Sequence, residues 1–493
     1  MGVIIKQSLV STILTYVGVL IGFVNFLYLF PAYMSPSEVG LVRILQDTAM
    51  LMVPFVQLGV SQLVIKYYPK FKNQKYYSEF IMLVLGLFLA SSILFTFVFF
   101  VFKLSIIEFF QEKAPTVNEY IFYILGLSLL LAFHQLLVSF AQSLHNIILP
   151  NFLKEIVLRA LTLIGISLFA LQIIDFHQFI LLLIGSYLLS FLVLSGYLVK
   201  NKSFQFTLQF EHIKWSAIQK MLSYSLFTFL GASGILIIGK VDSIMVGGML
   251  GTDEVAIYTT AFYIAVLIEL PKRAVAQIGM PIISRAFKNN NFEEIKTIYS
   301  KSSINNLIVG SLLFIGIWVN LNSLYSLIPN SEVYSLGKWI VLIIGAGKLL
   351  DMVAGLNGEI IVMSKHYRIN VYLVVLLTIF TVAANYVLIP IYGLEGAAIG
   401  SSLALLFFNL SKFGFLYWKE KIQPFSFQTI KVIAIATLTL LVGLNAPDLS
   451  NRILDIIYRS LLVTTLFGGL IIWLKPSKDV EELIKLVQNR LRR

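Results

Sequence analysis

Arg43 and Asp47, Lys240 and Asp242, Glu269, Lys272 and Arg273, and Lys348, Asp351 and Glu359 all stand inside stretches that are otherwise apolar. A charge at the centre of a membrane helix costs roughly 2.5–3.5 kcal/mol on insertion scales, so such residues face a cavity or a partner. The chemistry open to them is electrostatic. Arg43, Lys240, Lys272, Arg273 and Lys348 could compensate an anionic substrate. Asp351, Asp242, Glu359, Asp47 and Glu269 could carry a coupling proton or sodium ion, with Asp351 the first candidate because it lies deepest and has Lys348 one turn away. A purely structural reading stands beside this one. Arg43/Asp47 and Glu269/Arg273 are spaced i, i+4 and Lys348/Asp351 i, i+3, so each pair could neutralise itself on one helix face. Lys272 and Arg273 could also reach an interface with their long stems. Lys412, near a span end, and Arg459, four residues after Asp455, are set aside. His134 is read as a hydrogen-bonded packing residue.

Other chemistries are excluded. With no cysteine there are no disulfides, zinc–thiolate clusters or thiol nucleophiles. The run from Gly234 to Gly239-Lys240-Val241 nearly matches a phosphate-binding loop, but Val241 replaces the Ser or Thr that would hold magnesium, and the run lies within an apolar span. No metal-ligand spacing and no nucleophile–base constellation occurs, so neither covalent catalysis nor a cofactor is expected. Energy would come from an ion gradient, from substrate supply or from consumption of product.

The elements that position these charges are membrane helices. The 493 residues are 58% hydrophobic and only 13% charged, about half the charge of an ordinary soluble domain. Apolar stretches of about 20 residues, enough to cross a ~30 Å hydrocarbon core, predict fourteen spans. They lie near 8–30, 40–65, 80–102, 120–144, 155–174, 178–199, 222–247, 254–282, 303–325, 335–362, 369–389, 394–418, 430–446 and 453–474. The first is too long for a signal-peptide core and is read as a retained span. If the N-terminus is cytoplasmic, the outside loops hold Lys103, Lys113, Lys338 and Arg452, and most of the 37 Lys and Arg fall inside. This asymmetry explains the net charge of +12 without a nucleic-acid partner and places both termini in the cytoplasm. In the tail, 475–493, Val480, Leu483, Ile484, Val487 and Leu491 share a helical face amid Lys485, Arg490, Arg492 and Arg493, which suits the lipid surface.

An internal repeat is visible at a shift of 216 residues, which lays Glu38-Val39 on Glu254-Val255 and Phe71-Lys72 on Phe287-Lys288. The shift equals six spans, so the copies share one orientation and would relate by an axis along the membrane normal. The expected fold is therefore all-α and polytopic: a six-helix bundle at 1–200, a cytoplasmic linker at 201–221, a second bundle at 222–418, two extra helices at 419–474 and the tail.

Three stretches carry a family resemblance. Asn385-Tyr386-Val387-Leu388-Ile389-Pro390-Ile391-Tyr392-Gly393-Leu394-Glu395-Gly396-Ala397-Ala398 resembles the turn between the eleventh and twelfth spans of bacterial polysaccharide flippases. Asp242-Ser243-Ile244-Met245-Val246-Gly247, with Glu254-Val255-Ala256-Ile257-Tyr258, resembles their seventh-to-eighth span connection, and Ser35-Pro36-Ser37-Glu38-Val39-Gly40 their first outside loop. Ala256 departs from a frequent glycine. Pro390 and Gly393 suit a tight turn, and Gly396-Ala397-Ala398 a close helix approach. The resemblance implies a member of the superfamily that also holds multidrug/toxin extruders and lipid II flippases. It implies spans 2, 7 and 8 around a central cavity, and translocation of an undecaprenyl-diphosphate-linked oligosaccharide across the bacterial inner membrane by alternating access. Membrane lipids and the polymerase and chain-length machinery of O-antigen, lipopolysaccharide or exopolysaccharide synthesis would be partners. Two other readings are an antiporter of organic cations and a scaffold that recruits polymerases without transporting.

The loop 66–79 and the tail are expected to be cytoplasmic. A Lys72→Cys variant, the chain's single thiol, should stay unlabelled by an impermeant maleimide in intact cells and label after permeabilisation. Labelling in intact cells would reverse the orientation.

Overall fold

The computed structural model describes residues 2–72, 76–201, 212–477 and 479–482. These residues are helices and short connections, with no strand among them. Ten described helices are long and apolar enough to cross a membrane, or eleven if one bent pair counts as a single span. The apolar side chains they leave exposed follow helical spacing, as with Leu89, Ile93, Phe97, Val101 and Leu104 on one helix. That is the surface expected of a helix facing lipid. The bent pair is span 10, and Tyr367–Glu420, 54 residues long, holds expected spans 11 and 12. Much of the tail, 483–493, and of the linker, 202–211, lies outside the described residues.

Contacts divide the chain into two compact units, Met1–Ala256 and Ile257–Arg493. Span 7, Trp215–Met249, thus packs within the first unit, along span 2. Span 2 begins where Pro36 fills the first helical turn and Ser35 and Glu38 form a reciprocal cap, Ser35 N–H donating to Glu38 Oε2 at 2.8 Å. The helix Pro36–Gln57 stops at Leu58 (φ 44°) and Gly59 (φ 82°), and Val60–Phe71 continues beyond. Ser225 of span 7 binds this break, its hydroxyl donating to Leu58 O at 2.7 Å. At the other end of the pair a Cβ on Gly40 would overlap the Thr252 carbonyl, and one on Gly247 would meet Ile44. Leu63, Val64, Phe80, Leu136, Phe140 and Leu194 form the main apolar core of this unit.

The second unit contains further broken helices. Thr252–Val266, which starts in the first unit, passes through a 3-10 turn at Leu267–Glu269 into Leu270–Lys288, with Pro271 in the first turn of that half. The turn tightens just ahead of the ring of Pro271, whose missing N–H falls where a helix start has no acceptor to offer it. Lys338–Val353 and Asn357–Met363 meet at 49°, with Gly355 (φ 62°) in the break. Span 9, Phe292–Val319, stitches that break: Ser303 donates to Val353 O at 2.6 Å, and Ser302 Oγ accepts from Leu356 N–H at 3.3 Å. Gly393 (φ 60°, ψ −133°) reverses the chain inside Tyr367–Phe415. Gly396 then lies against the backbone of Leu388, and Gly400 against Asn385. The tight turn and close approach expected for this stretch are both present.

Phe427–Leu444 and Arg452–Leu474, spans 13 and 14, are tied by Arg459. Its guanidinium donates to Asp455 Oδ1 (3.0 Å), Gly443 O (3.3 Å) and Ala446 O (2.9 Å) and also meets Asp448. It thus caps the end of one helix from the next, beyond the pairing with Asp455 on its own helix that the spacing allows. After span 14, Asp479 accepts from Lys301 Nζ and Asn305 Nδ2, each at 2.6 Å. Burial works against the Asp479 carboxylate, but these hydrogen bonds outweigh it and hold its pKa below the ordinary value.

Gly40→Ala should lower the thermal midpoint and membrane abundance, because backbone must move to admit the methyl group. Gly126→Ala, where a Cβ meets nothing within 4 Å, is the control and should leave both unchanged. Equal stability of the two variants would contradict the packing described here.

Candidate functional site

The intramembrane charges form one cluster in each unit. In the first, Lys240 Nζ reaches Asp47 Oδ1 at 2.5 Å and Ser243 Oγ donates to Asp47 Oδ2 at 2.6 Å. Both carboxylate oxygens of Asp47 on span 2 are thus taken by span 7. The sequence spacing suggested Arg43 as the partner of Asp47. The structure sets the Arg43 guanidinium over the Phe26 ring, 3.6 Å from its centroid, a contact that suits a weakly hydrated planar cation. Gly247 lets span 7 lie close to span 2 on this face, since a Cβ there would meet Ile44. Asp242 is buried, with 4% of its surface exposed.

The second cluster joins spans 8 and 10. Lys348 Nζ lies 2.5 Å from Glu269 Oε2, and Arg273 Nη2 lies 2.7 Å from Glu269 Oε1. Lys272 Nζ lies 2.6 Å from Asp351 Oδ2. The expected Glu269–Arg273 pair is present. The expected Lys348–Asp351 pair is not: each of those residues takes a partner on span 8. Two oppositely directed bridges between helices replace one bridge within a helix. The tightened turn at Leu267–Glu269 and the next turn of helix present Glu269 and Lys272 toward span 10. Asn409 Nδ2 donates to Asp351 Oδ1 at 2.9 Å, and Asn357 Nδ2 to Asn409 Oδ1 at 3.0 Å. Lys412, set aside from the sequence, is buried beside this cluster with its ammonium 3.6 Å from the centroid of the Phe408 ring. Among the neighbouring acids its charge bears most on Asp351. Arg273 is the exposed member, with 62% of its side chain accessible.

Sequence reasoning missed a third group. Glu155 and Arg159 on span 5 pair at 2.8 Å, and Arg159 also donates to the Gly18 carbonyl of span 1. Asn25 Nδ2, inside a π-helical turn at Val24–Leu29, donates to Arg159 O at 2.9 Å. Gly22 and Gly18 leave the room, since a Cβ on either would strike Arg159 or Glu155. The i, i+4 spacing was the available signal, but it fell at the edge of the expected span. His134 is hydrogen-bonded to Ser190 (3.0 Å) across two helices. Lys66 lies 3.5 Å from the centroid of the Tyr224 ring, with Tyr67 edge-on to the same ring.

Ten or eleven apolar helices with buried charges paired between them mark a multi-pass membrane protein. The particular family follows from the sequence: residues 4–287 match the polysaccharide biosynthesis protein family, and the chain belongs to it. A probable low-salt glycan biosynthesis flippase of Haloferax volcanii is 22% identical over 186 residues, 38% of this chain and 39% of that protein. An uncharacterized membrane protein of Methanocaldococcus jannaschii is 22% identical over 466 residues, 90% of this chain and 91% of the other. Among solved structures the fold is similar to the lipid II flippase MurJ in an inward closed conformation, with TM-score 0.70 and 14% identity over 95% of this chain and 98% of that one. It is also similar to an inward-facing multidrug resistance MATE family transporter of the MOP superfamily, with TM-score 0.63 and 14% identity over 83% of this chain and 94% of that one. The resemblance drawn from the loop motifs and the all-α polytopic fold both agree with these findings.

The ion pairs make a specific prediction. Neutralising one member, as in Asp47→Asn or Glu269→Gln, leaves a cation without its counterion and should cost roughly 3–5 kcal/mol for a buried pair. The exchanged variant Asp47→Lys with Lys240→Asp should recover most of that loss in a thermal-unfolding assay. Exchange of Arg43 with Asp47 should not, because the Asp47 partner lies on span 7.

Proposed function

We propose that the protein translocates an undecaprenyl-diphosphate-linked oligosaccharide from the cytoplasmic to the periplasmic leaflet of the bacterial inner membrane, without ATP. The observation that carries this reading is the set of cations held inside the bilayer by acids of neighbouring spans, in a member of a polysaccharide biosynthesis family. A diphosphate and its sugars cannot cross hydrocarbon bare, since each unpaired polar group costs several kcal/mol. A transporter for them needs cations within the membrane that are stable before substrate arrives. An ion pair supplies such a cation: its acid neutralises it at rest and gives way when a phosphate oxygen takes over. Arg273 is the leading contact for the diphosphate, being accessible and able to bind two oxygens at once. Arg43, Lys240, Lys272 and Lys348 are further contacts. The sugars would find the hydroxyl and amide side chains of the same spans, while the polyprenyl tail stays in lipid.

Coupling to a proton or sodium gradient belongs to the proposal. A proton or sodium ion that reaches Asp47, Asp242, Glu269 or Glu359, or a proton that reaches Asp351, would release the neighbouring cation to the substrate, and the reverse exchange would release the substrate. Partners are the lipid-linked oligosaccharide, bilayer lipids and the polymerase and chain-length machinery that consumes the product. The fold shared with MATE transporters favours one second reading, extrusion of organic cations. The matched number of acids and bases in the clusters does not choose between the two; the polysaccharide biosynthesis family supports the first.

In proteoliposomes, the protein should render a lipid-linked oligosaccharide accessible to a glycan-cleaving enzyme on the opposite face. Arg273→Ala should slow this about 10–100-fold, the range for loss of a charge-assisted hydrogen bond, and Arg273→Lys should restore little of it. Transport of an organic cation such as ethidium, with no movement of the oligosaccharide, would favour the second reading.

A further inference from the structure

The break in span 10 creates a place for a cation. In an unbroken helix the N–H of Gly355 would donate to the carbonyl of Asp351, four residues before. Here it donates instead to Met352 O at 3.0 Å, as the chain turns through Gly355 at φ 62°. Asp351 O is left at the end of a half-helix, where the helix dipole concentrates partial negative charge. The Asp351 carboxylate adds a full negative charge at the same point. Half-helix ends with freed carbonyls and an acid are the sites at which many transporters coordinate a monovalent metal ion.

In this chain the position is filled by a side chain. Lys272 Nζ donates to Asp351 O at 2.9 Å and to Asp351 Oδ2 at 2.6 Å. Only 14% of the Lys272 side chain and 17% of that of Asp351 is accessible. The other carboxylate oxygen is held by Asn409, which Asn357 and the Leu405 carbonyl keep in place. The oxygens are therefore fixed by the fold. Lys412 is a second ammonium beside the cluster, and its charge bears on Asp351 more than on Glu359, but the hydrogen bonds of the carboxylate go to Lys272 and Asn409.

We propose that the Lys272 ammonium is the resident cation of this site, and that it takes the place a sodium ion would otherwise hold between the Asp351 carboxylate and the broken end of span 10. The inference rests on the geometry of the second unit and holds whatever the substrate is. Its consequence is that wild-type protein has no sodium site at Asp351, and that removal of the ammonium uncovers one.

The test uses the full-length protein purified in detergent, with sodium chloride and choline chloride compared at equal ionic strength. In wild type any difference in unfolding temperature between the two salts should survive Asp351→Asn, and no ²²Na⁺ should bind at this site. Lys272→Gln should unfold a few degrees higher in sodium than in choline and bind ²²Na⁺. Lys272→Gln with Asp351→Asn should lose both effects. Lys272→Arg, which keeps a cation in place, should remain indifferent to sodium. The proposal is overturned if wild type shows a sodium effect that Asp351→Asn removes, or if folded Lys272→Gln shows none. It is equally overturned if Lys272→Gln cannot be purified folded in either salt, because sodium would then have failed to replace the ammonium.

Discussion

The structure depends on one constraint: a charge in hydrocarbon must be matched where it stands. A lone lysine or carboxylate inside a span costs several kcal/mol, so three acids are set against bases on neighbouring helices. Asp47 meets Lys240, Glu269 meets Lys348, and Asp351 meets Lys272. Pairing between helices rather than along one helix has a consequence for mechanics. A pair on one helix is indifferent to how that helix moves. A pair between helices fixes their register and opens when they slide or tilt, so the same contacts that make the charges tolerable also report on the conformation of the unit.

The close approach that pairing needs is supplied by small residues. Lipid tails are as apolar as leucine, so helices in a membrane gain little from the hydrophobic effect when they meet and rely on packing and hydrogen bonds. Gly40 against Thr252, Gly247 against Ile44, and Gly18 and Gly22 against span 5 each bring backbones or charged side chains within reach. A methyl group at those positions would hold the helices apart. The separation would act directly on the ion pairs, because a contact at 2.5 Å between Lys240 and Asp47 has little length to give.

Much of this architecture is legible in the sequence, and the missing part has a physical reason. Hydropathy and charge locate the spans and the intramembrane ionisable residues, because both depend on residue type alone. Pro390, Gly393 and Gly396 announce their turn, because only certain residues accept that backbone. The partners are another matter. Spacing along a helix makes Arg43 available to Asp47 and Lys348 to Asp351, yet the structure pairs Asp47 with Lys240 and Asp351 with Lys272. Which base wins depends on the approach of a second helix, a tertiary fact that no local pattern contains. The Glu155–Arg159 pair failed to register for a related reason: hydropathy leaves span ends uncertain, and a charge near such an end passes for a loop residue.

Breaks in the spans obey the same need for local satisfaction, at a lower energy scale. A broken turn in a bilayer frees carbonyl and amide groups that have no water to bond. Ser225 serves the break at Leu58, and Ser302 and Ser303 serve the break around Gly355. Each is a neutral hydrogen bond with an adjacent helix, worth about 1 kcal/mol net, in which Ser225 and Ser303 donate and Ser302 accepts, and a hydroxyl can turn to follow its partner. The halves of a span can therefore change angle at small cost so long as a serine tracks them. The charges set the opposite condition, since opening an ion pair in the same surroundings is far more expensive unless a new counterion arrives. Soft joints and stiff pairs lie side by side in span 10, where the serine-bound break is only a few residues from Asp351. Movement of that span is therefore cheap in its backbone and is governed by what replaces the ammonium at the carboxylate.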